Sequence, residues 1–153
     1  MTHDHKRLGI EFNNRVWDLL EKSDRTPSED QELIHAAHAS QAHWAKAGTG
    51  VNAQRGEWLI ARVYTELGRL EPALHHLRET ERLTEQNRDA LADFDFAFLE
   101  ALQARIEALA ENLAEAELHY AKAKRLGEAL DTEEDRKIFF DQLKAGPWFG
   151  FDP

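Results

Sequence analysis

The stretch EWLIARVYTELGRLEPALHHL, residues 57–77, decides the fold of this chain. Ile60 and Val63 begin a row of apolar residues at three- and four-residue spacing, which places them on one face of a helix. Gly68 is typical of a helix end, because glycine adopts the left-handed conformation at no steric cost. Pro72 is typical of the first turn of a new helix, where its missing N–H is not needed. The stretch therefore predicts two helices folded back on each other across a short turn.

A weaker copy of this pattern follows along the chain. Ala116 lies 43 residues after Ala73, and an aromatic residue, Tyr120, follows it at the spacing expected of a second helix. Asn112 stands at the predicted turn, since asparagine tolerates the left-handed conformation. We expect the extra length of this copy to lie in a longer first helix, over about residues 90–110.

These residues resemble a tetratricopeptide repeat over about residues 52–126. The residues that match the family's pattern in kind and spacing are Ala61, Tyr64, Gly68, Ala73 and Leu77. The sequence departs from the pattern where a leucine replaces an aromatic residue and where no proline closes the unit near Glu85. Residues 35–149 are also similar to a group of small bacterial helical proteins, a resemblance that implies no activity. The resemblance to the repeat family implies stacked helical hairpins with a concave groove that binds a protein or peptide.

Composition favours the same all-α fold, because alanine, leucine and glutamate dominate while glycine and proline are scarce. At 153 residues we expect a single domain of stacked antiparallel hairpins with about seven helices. Thr26-Pro27-Ser28-Glu29 predicts a helix start, whereas we expect residues 1–7 to fray. The predicted parts are hairpins over about residues 9–47, 52–86 and 90–126, a C-terminal capping helix over 132–145 and an aromatic tail over 147–153.

The charge of the chain limits its partners. The net charge is −10, and residues 84–153 carry most of the excess, with 16 acidic and 8 basic side chains. Such a surface repels phosphate backbones and anionic lipid, so we expect neither nucleic-acid nor membrane binding. The chain has no cysteine, which excludes a disulfide framework. No stretch approaches the length of a membrane span, and we expect a cytoplasmic protein.

The resemblance also implies which side chains line the groove, because the first helix of each pair faces the concave surface in this repeat class. The implied lining residues are Trp17 on the first helix, Arg55, Trp58, Arg62 and Glu66 on the third, and Phe98 and Arg105 on the fifth. Arginines beside aromatic side chains form a site for carboxylates, which guanidinium groups bind in bidentate geometry. The alternative is that these arginines pair with acidic residues inside the fold.

Histidines form a second candidate site. His35 and His38 share one helical face with Glu32, and His76 lies on a helix that neighbours theirs in a stack of hairpins. Imidazole and carboxylate together suit zinc or iron, so a metal-binding protein or enzyme is an alternative function. The Glu-x2-His pair occurs once, however, and a di-metal centre of the ferritin type needs two. We therefore expect no metal or other cofactor, and histidines whose nitrogens are hydrogen-bonded within the fold.

No spacing in the chain singles out a nucleophile, so we expect a non-catalytic protein. The tail around Trp148 and Phe149 is too apolar to extend into solvent. We expect it to dock onto the final helices, with insertion into a second copy as the alternative. A structural homodimer without a small ligand is accordingly a further hypothesis.

Overall fold

A computed structural model describes residues 2–153 and, within them, the side chains of residues 4–153. This part of the chain is about 80% helical and has no strands, which confirms the predicted all-α class. It contains seven α-helices: α1 (Thr2–Leu20), α2 (Pro27–Ala47), α3 (Gly50–Glu66), α4 (Leu70–Gln86), α5 (Asp93–Leu109), α6 (Leu113–Glu128) and α7 (Glu133–Lys144). A single 3₁₀ turn, Arg88–Ala90, follows α4. Neighbouring helices pack as hairpins.

The helices form two compact units. The N-terminal unit ends at Asp89, and the C-terminal unit spans Ala90–Pro153. The boundary falls in the 3₁₀ turn, within the polar stretch that separates the second predicted hairpin from the third. Each unit is described by itself below.

In the N-terminal unit, α1 pairs with α2, α3 pairs with α4, and α2 packs against α3. Every helix contributes a buried stripe at helical spacing, as expected for amphipathic helices around one core. The largest cluster of buried apolar residues comprises Val16, Leu19, Leu33, Ala36, Ala37, Leu59, Ile60 and Val63. Because this core involves both hairpins, it fixes how they lie against each other.

The two ends of the first hairpin test the local signals. Thr26 caps α2 in a complete capping box with Glu29, as the sequence predicted. By contrast, α1 begins at Thr2 instead of fraying to residue 7, while Met1 lies outside the described residues. The first turns of α1 are held by α2, because the Ser40 hydroxyl donates to the Gly9 carbonyl over 2.7 Å. Tertiary packing therefore orders a segment with weak helix signals.

The hairpins α3–α4 and α5–α6 repeat with a period of 43 residues. Both helices of the second hairpin begin 43 residues after their counterparts in the first. The first helices α3 and α5 are each 17 residues long, so the prediction of a longer first helix was wrong. The 43-residue period of the first hairpin consists of two 17-residue helices, the turn over residues 67–69 and the connection over residues 87–92.

The turns of the two hairpins have the same hydrogen bonds. Arg69 N–H donates to the Tyr64 carbonyl over 2.9 Å, and 43 residues later the Asn112 N–H donates over 2.8 Å to the carbonyl of Glu107. This pattern is a Schellman motif, which needs a left-handed residue just past the helix end. Gly68 takes that position with φ 71°, and its counterpart is Glu111 with φ 65°, not Asn112 as predicted.

In the C-terminal unit, α7 packs against both α5 and α6. The ring of Phe139 is fully buried against Gly127 of α6, where an added Cβ would lie 2.4 Å from it. The buried apolar cluster around this ring comprises Ala97, Ala101, Ala123, Leu130, Phe139 and Leu143. Small residues on α5 and α6 thus make room for α7, which caps the hairpin as predicted.

The aromatic tail docks within the C-terminal unit, as expected. The Trp148 ring lies 5.3 Å from Tyr120 of α6, and its indole N–H donates to the Leu143 carbonyl over 3.1 Å. A tight turn follows, in which Phe149 has a left-handed backbone with φ 55°. Phe151 returns to within 5.9 Å of the Tyr120 ring. No helix in the described residues is both long enough and apolar enough to cross a membrane.

Candidate functional site

The two tryptophans of the predicted groove meet in the N-terminal unit. Trp17 on α1 and Trp58 on α3 stack with ring centroids 6.0 Å apart and an angle of 26° between the ring planes. Both rings are half-buried against the core of the unit. Arg55, one turn before Trp58 on α3, is exposed. The pair therefore forms a partly exposed aromatic surface that is packed against the core, which we call the tryptophan shelf.

Arg62 lies on the same helix as the shelf but is only 5% exposed. Its guanidinium donates to Glu66 over 2.8 Å, and Glu66 also accepts from Arg25 over 3.0 Å. Arg25 in turn donates to Asp30 over 2.8 Å. Burial lowers the pKa of Arg62, while the charge of Glu66 opposes that change. The carboxylate that pairs with Arg62 thus comes from within the fold. This outcome matches the alternative in which the arginines pair with acidic residues of the same chain.

Arg105 also has partners within its own unit. It is 2% exposed, and its guanidinium donates to main-chain carbonyls at the end of α7 and beyond. The accepting residues are Gln142 (2.8 Å), Leu143 (3.2 Å), Ala145 (2.6 Å) and Pro147 (3.1 Å). The guanidinium carbon also lies 4.2 Å from the centroid of the Trp148 ring. Arg105 therefore caps the C-terminus of α7, an end that a cation stabilises.

Phe98, the other predicted groove residue of α5, contacts α7 as well. Its ring lies 5.1 Å from that of Phe139 in an edge-to-face arrangement. Phe98 and Arg105, the two groove residues predicted on α5, are thus in contact with α7 and the tail of the same chain. Sequence reasoning placed these side chains on a common face but did not identify what covers that face.

The histidine set divides in the structure. Glu32 accepts two hydrogen bonds from Arg15, at 2.6 and 3.0 Å, and His35 is exposed. His38 and His76 do approach each other, with ring centroids 5.4 Å apart. Within residues 4–153, no group of three or more His, Asp or Glu side chains has the arrangement that a metal ion needs. Two of the four predicted ligands therefore lie together and two do not.

Two further residues of α3, which the sequence reasoning missed, join His38 and His76. His38 Nε2 lies 3.0 Å from the Tyr64 hydroxyl, and the Tyr64 ring stacks on the imidazole of His76 at 5.7 Å. His76 Nδ1 lies 2.6 Å from a carboxylate oxygen of Glu57. Glu57 and Tyr64 are seven residues apart, a spacing that places both on one face of a helix. This spacing was the signal in the sequence that could have grouped these two residues.

A carboxylate that holds one nitrogen of an imidazole is an arrangement found in general-base catalysis. The same contact recurs 43 residues later, where His119 Nδ1 lies 2.7 Å from Glu100. Glu100 also forms an ion pair of 3.0 Å with Lys122. Since both hairpins carry the contact at the same position, it joins the first helix of a hairpin to the second. The repetition favours an architectural role over a catalytic one.

Comparison of the chain with protein-family models, with curated proteins and with solved structures finds no match. The resemblance to tetratricopeptide repeats therefore stays a prediction from the residues that carry it.

Proposed function

We propose that this chain is a non-catalytic protein-interaction module that binds a peptide segment at the tryptophan shelf of its N-terminal unit. The observation that supports this proposal is the half-buried stack of Trp17 on Trp58. Aromatic side chains that are rigidly held and partly exposed provide large contact area at little cost in conformational entropy. The residues of the α3–α4 hairpin that match a tetratricopeptide repeat in kind and spacing, and the recurrence of this hairpin after 43 residues, support the same function.

The chemistry of the bound peptide follows from which side chains near the shelf are already paired within the fold. Arg62 is enclosed with Glu66 and Arg25, so its guanidinium is not available to a carboxylate on the ligand. Binding would accordingly rest on apolar contact with the two indole rings. We propose a segment anchored by an aromatic or branched aliphatic side chain, in place of the carboxylate clamp that the sequence suggested. A cytoplasmic location and a homodimer remain predictions.

The test is selection of peptides from a random library on the intact protein, followed by measurement of affinity for variants. We expect Trp17→Ala and Trp58→Ala each to weaken binding of the selected peptides by at least about tenfold, the effect of removing an interface anchor. Leu118→Ala is the matched control, since Leu118 is 65% exposed in the C-terminal unit. Circular dichroism establishes that the variants are folded.

A second measurement avoids substitutions. The indole N–H resonances of Trp17 and Trp58 should shift when a selected peptide is added, while that of Trp148 should not. Peptides that bind the tryptophan variants and the control equally well, or that leave both indole resonances in place, would overturn the proposal.

A further inference from the structure

Seven of the eight histidines lie in the sequence of the N-terminal unit. Helix α2 carries three of them, His35, His38 and His43. It packs against α1 on one side and against α3 on the other. Histidine contacts occur on both of these sides of α2.

On the α1 side, His43 contacts His5. Their Nδ1 atoms are 2.9 Å apart and the ring centroids 5.2 Å apart. That centroid separation is close to the largest that the short N···N distance allows, so the two nitrogens point at each other. Phe12 of α1 stacks on the His43 ring at 5.8 Å with only 3° between the planes, which holds the ring in this orientation.

Two nitrogens that point at each other accommodate one proton between them. A neutral imidazole pair meets this condition, because one nitrogen donates its N–H and the other accepts it. Two imidazolium rings do not, because each Nδ1 then carries a hydrogen and a share of positive charge. The charged neighbours of these two residues along the chain are Asp4 and Lys6 on α1 and Lys46 on α2, a set of mixed sign.

On the α3 side, His38 contacts the Tyr64 hydroxyl and the ring of His76 on α4. Burial lowers the pKa of His38, and the nearby charges of His76 and His35 lower it further, while Glu57 of α3 opposes them. The remaining titratable groups at this contact are His75, whose ring lies 4.9 Å from that of His76, and Glu79. The folded arrangement thus favours the neutral form of His38.

Two carboxylates of α2, those of Glu29 and Glu32, take up protons at a lower pH than an ordinary glutamate. Hydrogen bonding to Lys22 lowers the pKa of Glu29 to about 2. The guanidinium of Arg15 likewise lowers the pKa of Glu32. These two groups therefore stay ionised when the pH falls from neutrality to about 5, the range in which histidine side chains take up protons.

We propose that α2 is an acid-sensitive element of the N-terminal unit. When the pH falls from about 7.5 to about 5, imidazolium groups no longer fit the contacts that α2 makes with α1, α3 and α4, and the helix loosens from them. The C-terminal unit contains a single histidine, His119, and serves as the internal reference. The inference does not depend on the proposed peptide-binding function.

The sign of the effect follows from the direction at His38. Its pKa in the folded chain is below the ordinary value, so as the pH falls the unfolded chain takes up the proton first. Stability is therefore complete above the ordinary pKa of histidine, about 6.5, and decreases as the pH falls below it.

Hydrogen exchange on the intact chain tests the proposal. Protection factors of α2 amides, corrected for intrinsic exchange rates, are compared at about pH 7.5 and pH 5, with α5 amides as the internal reference. We expect protection in α2 to fall roughly three- to tenfold relative to α5. In the wild-type protein, equal protection of α2 at the two pH values would by itself overturn the proposal.

Variants identify the groups responsible. The double variant His38→Gln/His43→Gln keeps polar side chains of similar reach but takes up no proton, so it should remove most of the pH dependence of α2. His119→Gln is the matched control in the C-terminal unit and should leave that dependence unchanged. An undiminished acid effect in the double variant would assign the effect to other groups and contradict the proposal.

Discussion

The hairpins α3–α4 and α5–α6 have the same backbone design and different interiors. At equivalent positions, 43 residues apart, the first hairpin has Gln54 and Thr84 where the second has Ala97 and Gly127. The Gln54 amide donates to the Thr84 hydroxyl over 3.1 Å, so the first hairpin is joined by a buried polar pair. The alanine and glycine of the second leave a hollow that the Phe139 ring fills. Two small residues thus convert the hairpin into a docking site for α7.

The buried arginine shows the same divergence. Arg62 and Arg105 are equivalent, and both are nearly inaccessible to solvent. Glu66 follows Arg62 by one turn and compensates its charge, whereas Leu109 stands at the equivalent position after Arg105. Arg105 instead donates to the carbonyls at the end of α7. A buried guanidinium needs acceptors, and each hairpin supplies a different kind.

The largest expected effect comes from removing the arginine of the C-terminal unit. Arg105→Met leaves the carbonyls at the end of α7 without their donor and should cost about 3 kcal/mol. The matched variant Arg62→Met should cost less, about 2 kcal/mol, because Glu66 keeps its contact with Arg25. Urea denaturation gives both free energies of unfolding, and hydrogen exchange should place the loss of protection from Arg105→Met in α7. If the two variants lost the same free energy of unfolding, the carboxylate at Arg62 and the carbonyls at Arg105 would not differ in the way proposed.

The next effect concerns the hollow under Phe139. Gly127→Ala places a methyl group 2.4 Å from a ring carbon of Phe139 and should destabilise the protein by about 2 kcal/mol, the cost of overpacking. At a helix position without a close neighbour, a glycine-to-alanine change is favourable. A loss of stability in Gly127→Ala would therefore indicate that the added methyl group meets the Phe139 ring. Combining the change with Phe139→Leu should recover part of the loss, because the shorter side chain makes room. Purely additive costs in the double variant would indicate that the two residues do not compete for the same space.

A smaller effect is expected at the turns. Glu111→Gly should stabilise the second hairpin by about 1 kcal/mol, because glycine adopts the left-handed conformation without strain. Gly68→Ala should destabilise the first hairpin by a similar amount, about 1 kcal/mol, although no atom lies within 4 Å of the added Cβ. Thermal unfolding of the two variants beside wild type checks the opposite signs. Two changes of the same sign would show that backbone conformation does not decide these sites.

The smallest effect concerns the histidine contacts. Because the pKa of His38 is lowered in the folded chain, His38→Gln should reduce the loss of stability between about pH 7.5 and pH 5. The change should be small, since His38 is exposed on one side and water screens its charge. Urea midpoints at the two pH values measure it, with His119→Gln as the control. A larger loss for His38→Gln than for wild type would reverse the assigned direction.

Much of the architecture could be predicted from local signals. The helical periodicity of residues 57–77, the capping box at Thr26 and the turn glycine at Gly68 depend on residues within a few positions of each other. The 43-residue period was also readable, since Ala73 and Ala116 occupy matching positions. Two predictions from weaker local signals were wrong. The left-handed residue of the second turn is Glu111, not Asn112, and α1 extends to Thr2 because α2 supports it.

The candidate sites were less predictable, because helical spacing assigns a residue to a face but not to a partner. The sequence placed Trp58 and Arg62 on one face of α3. The structure leaves the first half-buried, and it buries the second in an ion pair with Glu66. The approach of His38 to His76 was expected, whereas their contacts with Tyr64 and Glu57 were not.

The sequence alone therefore determined the all-α class, the hairpins and their repeat, because each of these depends on interactions between residues close together in the chain. Only the tertiary structure decided the division at Asp89, the compensation of the two buried arginines, and the hollow at Gly127 that the Phe139 ring fills. Those outcomes depend on which distant groups meet, and the free energy of burying a charge or a ring is set by that meeting.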